Sequence, residues 1–409
     1  MMNLNITHEE IFCFMSKSQL TSRRGFLKLT ASGALGSLAA KGILADEKTD
    51  SLLGRETQER TNKRVVGKEI SVRQDGTYET VPLSKNAITL GVVQSRVRSF
   101  EVSNAKQAIN ENLKHFIELI DKAFYYGARP DILFFHEFPI TGWRKWTRKE
   151  ILSFALEVPG EETEQIAKKA REYQCYIVFG TYAKDKDWPG HVLSLTVIMD
   201  PKGQVIGKHW KARNIKGVFP GFELFTTTIY DVLDRYIEMY GPDAVIPVTR
   251  TPYGNISTTS TQNEPEIIRA MTIKGAEIIL RTASGGFNPL DVQASAFYNQ
   301  VYVAVANNAY SPDNPGFFDD AGSGGSAVYA PDGKPLAIAD TKFETMITAR
   351  IPIGAFRETH RQPIIHSELY MPIFERYRSN YPPNLFLSYQ PEDLIDAKRY
   401  LAEKSRWKK

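Results

Sequence analysis

"TPYGNISTTSTQNEPEIIRAMTIKGAEIILRTASG", residues 251–285, reads as a strand with a polar end, then a helix, then a second strand. Pro265 suits the first turn of a helix, where a missing N–H costs nothing, and "AEIILRT" is an apolar run of strand length. A strand that turns into a helix presents backbone N–H groups at the turn, a frame suited to an anion or an enzyme nucleophile. At that turn stand Thr259, Ser260 and Thr261, and no cysteine.

Outward from this stretch the alternation continues. Upstream, "AITLGVVQSRV" and "DILFFHEF" read as buried strands. Between them "NAKQAINENLKHFIELIDKAFYYGA" places Ala108, Leu113, Phe116, Ile117 and Ile120 on one helical face, with Asn104 as the expected cap. "GEETEQIAKKAREYQ" is an amphipathic helix, "CYIVFGTYA" a strand, and "VLSLTVIMDPKGQVIGKHW" two strands around a Pro-Lys-Gly turn. Downstream come a helix near Leu290 to Asn299, the strand "VYVAVANN" and the hairpin "GSAVYAPDGKPLAIAD". Interleaved strands and helices predict an α/β fold, and the hairpins call for a mixed sheet or a pair of sheets with outer helices.

The chain has 409 residues, 42% hydrophobic and 24% charged. "TSRRGFLKLT" followed by "ASGALGSLAA" resembles a twin-arginine export signal spanning residues 1–45, with a cut after Ala45. The expected partner is then the twin-arginine translocation machinery, and the expected location is periplasmic or secreted, without stable membrane insertion after processing. Residues 46–86 are polar and read as a linker or arm. Five basic and two acidic residues fall in the first 45, leaving 46 basic against 45 acidic, a formal charge near +1. Such a near-neutral body gives no reason to expect nucleic-acid binding. Cys13 falls within the signal, so Cys175 stands alone; an internal disulfide and a cysteine-built metal site are excluded, and no cofactor or metal is expected.

Three segments can carry chemistry. Glu137 follows "ILFF", where a strand would end, and partial burial would suit it to general-base work. Lys208 and Lys211 lie in "GKHWKARN", where an ammonium can stabilise an oxyanion. The third is the turn at residues 259–261.

The order "FFHEFPITGW", "IGKHWKARN", "YGNI…PEIIRAMTIKGAEIILRTASG", "VYVAVANN" and "GSGGSAVYAPDGKPLA" resembles the nitrilase, or carbon–nitrogen hydrolase, superfamily, closest to its amidase branches. The resemblance covers roughly residues 88–353. It implies a four-layer α-β-β-α sandwich over residues 87–356 and assembly as a homo-oligomer; the extension at 357–409, rich in Tyr, Phe, Arg and Pro, is too apolar to float freely and is expected to pack on the domain or a neighbouring subunit. The resemblance also implies Glu137 as base, Lys211 as the lysine that stabilises the tetrahedral intermediate, and a cysteine nucleophile. Six residues before Pro265 stands Thr259; counting from "TPYGNI" points to Ser260 or Thr261. The acidic residue that normally follows the nucleophile is missing, Lys216 stands where a second glutamate often precedes "GVFPG", and His136 replaces the common proline before the base.

An alcohol near water's pKa of about 15.7 costs up to roughly 10 kcal/mol more to ionise than a thiol near 8.5, beyond what a glutamate supplies alone. His136, His209 or Lys211 would have to assist. The expectation is therefore an exported homologue that binds a small amide or carboxylate with altered or lost catalysis. Its alternatives are a hydrolase using Thr259, Ser260, Thr261 or a Glu137-activated water, and a structural or interaction protein.

Overall fold

A computed structural model describes residues 73–126, 129–214, 225–312 and 322–407. The export signal, the first part of the arm and Lys216 lie outside the described residues.

β1 (Ile88–Gln94) leads through α1 (Ala105–Tyr125), β2 (Ile132–Phe135), α2 (Arg148–Phe154), β3 (Leu156–Glu157) and α3 (Glu161–Tyr173) to β4 (Tyr176–Lys184). The hairpin β5 (Leu193–Met199) and β6 (Val205–Trp210) is followed by α4 (Leu233–Tyr240) and β7 (Thr249–Thr251). Next come β8 (Gly254–Thr259), α5 (Pro265–Ile273), β9 (Ile278–Thr282), α6 (Pro289–Asn299) and β10 (Tyr302–Ala306). The described chain ends with β11 (Ala327–Tyr329), β12 (Pro335–Ile338), β13 (Thr345–Ile351), α7 (Ile353–Thr359), α8 (Met371–Arg376) and α9 (Leu394–Lys404). Asn104 does precede α1, but its side chain makes no capping hydrogen bond.

The strands form two sheets, ordered β13-β1-β2-β4-β5-β6 with β3 beside β4, and β12-β11-β10-β9-β8-β7. Alternation along each strand assigns the faces. In β2, Ile132 and Phe134 join an apolar cluster with Ile256, Ile278 and Leu280 of the second sheet, while Leu133 and Phe135 pack with Phe116 and Ile120 of α1. In β9, Ile279 turns the other way, onto Ile268 and Met271 of α5 and Val292 of α6. The layers run helix, sheet, sheet, helix, the α-β-β-α sandwich that the sequence led us to expect.

Direction matters for the site. β1, β2 and β4 are parallel, and β6, antiparallel to β5, runs with them. β8, β9 and β10 are parallel to one another, and a parallel bridge from Arg96 to Ala309 joins the continuation of β1 to that of β10. Strands of both sheets therefore deliver their carboxyl ends to one edge, where ligands of open α/β sheets gather.

At the opposite, amino-terminal end of β9, the buried Glu277 carboxylate holds three partners. Tyr78 donates from its hydroxyl at 2.9 Å, Arg357 donates from two nitrogens at 2.8 and 2.7 Å, and the Asn255 N–H donates at 2.7 Å. Residues 379–407 return to the first sheet's helical side, burying Leu385, Phe386, Tyr400 and Leu401 there. The Phe386 N–H donates to the Asp231 carbonyl at 3.0 Å, and Arg148 pairs with Glu392 at 2.9 Å.

Candidate active site

Glu137 stands two residues beyond the end of β2, and its backbone is pinned on both sides. The Gly180 N–H of β4 donates to the His136 carbonyl at 3.0 Å, and the Phe138 ring stacks on Tyr182 with centroids 4.3 Å apart. Gly180 is required here, because a methyl group in its place would overlap the Glu137 backbone. Lys211 stands one residue beyond β6, held by its N–H to the Ser194 carbonyl at 2.9 Å. The Lys211 ammonium donates to the Glu137 carboxylate at 2.9 Å, and both side chains are more than nine-tenths buried.

A second pair of contacts joins this group to the turn after β8. The His209 ring, two residues before Lys211, lies 3.1 Å from the Thr258 hydroxyl through Nδ1 and 2.9 Å from the Thr249 hydroxyl through Nε2. Arg213, two residues after Lys211, donates to the Gln262 carbonyl at 2.6 Å and forms an ion pair with Glu264. From the second sheet, the buried Arg281 donates to the Thr261 carbonyl and to Asp291, each at 2.8 Å. These holding residues went unread in the sequence as partners of the turn; only the position of Arg213 and His209 inside the lysine motif pointed toward them.

The three candidate hydroxyls differ. Thr259 closes β8 and its Oγ1 accepts the Thr261 N–H at 3.0 Å, a local turn that fixes the side chain. Thr261 is buried, with no hydrogen-bond partner for its hydroxyl. Ser260 between them is half-buried.

The assisting bases fare poorly. Burial pushes His136 down to about 3 and His209 down to about 4, so both are neutral and weakly basic near pH 7. His136 Nδ1 accepts the Phe138 N–H at 3.2 Å, and both His209 nitrogens face threonine hydroxyls. Lys208 points to the opposite side of β6 from His209, toward Asp185 and the Val158 carbonyl. Cys175 precedes β4 at the amino-terminal end of the sheet, fully buried, its thiol pushed up to about 12 by burial. Among the described residues, no group of three His, Cys, Asp or Glu side chains is arranged to hold a metal ion.

A carboxylate beside an ammonium matches the two ends of an amide: the carboxylate accepts an amide N–H while the ammonium donates to the carbonyl oxygen. Two packed sheets with outer helices, carrying this buried ion pair at the shared carboxyl edge, define an α/β protein. The carbon-nitrogen hydrolase profile matches residues 90–361, and the chain belongs to that family. It is 28% identical over 222 residues to a bifunctional nitrilase/nitrile hydratase of Lupinus angustifolius, a match covering 49% of this chain and 58% of that protein. The chain thus spans less than two thirds of the length of curated relatives it matches. Among solved structures, the C. elegans NitFhit protein superposes with a TM-score of 0.53 at 19% identity, covering 73% of this chain and 66% of that one. A carbon-nitrogen hydrolase from Helicobacter pylori G27 gives 0.53 at 16% identity, covering 72% and 96%. These likenesses establish the shared fold.

Proposed function

We propose that this chain binds a small amide, or the corresponding carboxylate, at the Glu137–Lys211 pair without forming a covalent thioester. The observation that carries this reading is the pair itself, 2.9 Å apart and buried, with its neighbours His209 and Arg213 reaching Thr258 and Gln262 on either side of the three candidate hydroxyls. Burying two charges is costly, and such a pair is poor support for stability alone, so a polar ligand is the better account of its presence. The neutral histidines nearby leave an alcohol without a strong base.

Titration calorimetry with propionamide and propionate tests the binding, with ammonia release from propionamide and propionitrile measured alongside. Saturable binding that Glu137→Ala weakens at least tenfold, with no ammonia above that variant, is expected. Ammonia release by the native chain that disappears in Glu137→Ala would overturn the proposal. It would favour hydrolysis through a hydroxyl or a Glu137-activated water, the reading to which the unpartnered Thr261 hydroxyl lends support.

A further inference from the structure

Two contacts across the sheets set a register between the lysine segment and the turn. His209 touches Thr258, and Arg213 donates to the carbonyl of Gln262; each pair is separated by 49 positions in sequence. β6 and β8 run in the same direction, and each segment leaves its strand between the two contacts, after Trp210 and after Thr259. The residue midway on one segment is Lys211, and midway on the other is Ser260.

Side-chain alternation points the same way. Ile256 lies in the cluster between the sheets and Thr258 reaches His209 of the first sheet, so even-numbered positions of β8 face that sheet. Thr259 pairs in register with Arg281, whose side chain leaves toward Asp291 of α6, and its hydroxyl is already used by the Thr261 N–H. Counting back from Pro265 selects Thr259 as the counterpart of a nucleophile; the register and the faces select its neighbour.

We infer that Ser260 is the turn hydroxyl opposed to the Glu137–Lys211 pair, and that it contacts the carbonyl group of the bound amide. The second half of this statement rests on the proposed function; the first half is geometric and stands apart from it. Ser260 is also half-buried, as a residue open to a ligand must be.

The test places a thiol at each position in turn. Thr259→Cys, Ser260→Cys and Thr261→Cys, in the full chain, are alkylated with 2-iodoacetamide at pH 7, and peptide mapping assigns each adduct, so that Cys13 and Cys175 are scored separately. An ammonium beside a thiol lowers its pKa and enriches the reactive thiolate. Alkylation at position 260 is expected to be at least tenfold faster than at 259 or 261, and to slow at least fivefold when Lys211→Met is added. Faster reaction at 259 or 261, rates within twofold at all three, or indifference to Lys211→Met overturns the inference.

Should Ser260→Cys fail to fold, Ser260→Ala provides a second measurement: propionamide is expected to bind at least fivefold more weakly, and unchanged affinity overturns the contact. Absence of propionamide binding to the native chain would sink the proposed function instead, leaving the ranking of the three thiols to decide the geometry.

Discussion

Lys211 and Glu137 each depend on the other. Removing one partner of a buried pair strands the remaining charge, a loss of about 3–5 kcal/mol. Glu137→Ala and Lys211→Met should each destabilise the fold by about 3 kcal/mol in urea unfolding, while the double variant should lose less than their sum; strict additivity would mean that the two charges do not interact. Four histidines buried among the described residues set the acid limit. Burial holds His136 at about 3 and His191, His209 and His360 at about 4, against about 6.5 in an unfolded chain. Their folded values lie below the unfolded one, so the unfolded state takes up protons first. The stability they contribute is complete above pH 6.5 and is lost as pH falls toward 4. His136 and His209 alone account for about 3 kcal/mol each over that range. Near-ultraviolet circular dichroism should therefore show cooperative unfolding with a midpoint above pH 4; native packing retained at pH 3.5 would contradict these assignments.

At the level of strands and helices, the close passage of β4 behind Glu137 is the sharpest constraint. Gly180→Ala should push the end of β2 aside, lowering stability by about 2 kcal/mol and weakening amide binding more than Glu137→Asp does. Equal affinity in the native chain and Gly180→Ala, by calorimetry, would show that the backbone yields. Elements such as these were legible where the signal is local. "ILFF" announces a strand buried on both faces, Pro265 opens α5, and Pro-Lys-Gly turns β5 into β6, with Gly203 at φ 74°. The bridge from His209 to Thr258 was not legible, because it joins segments 49 positions apart in different sheets and has no spacing rule. Spacing alone did not separate Lys208 from Lys211; the resemblance singled out Lys211, and β6 assigns the two to different surroundings. The sequence placed Glu137 and Lys211 in separate motifs, and only folding shows them in contact.

For the molecule as a whole, the C-terminal segment belongs to the core. Phe386→Ala should cost about 3–5 kcal/mol, read as a lower urea midpoint, because the ring is fully buried among residues of the first sheet's helical layer. The proposed export signal yields its own expectation: with Arg23→Lys and Arg24→Lys together, fractionation should find the protein retained in the cytoplasm, and undiminished export would remove that assignment. Closure of the first sheet bears on how the molecule is made. β1, the first strand among the described residues, completes its pairing with β13, the last of them, along seven consecutive residues from Ile88 opposite Ile351 to Gln94 opposite Thr345. A chain still on the ribosome short of residue 345 keeps one edge of β1 open, a surface prone to pairing with other chains. Completion of the first sheet must therefore wait until residues 345–351 have left the ribosome, and until then β1 is the edge that a chaperone would cover.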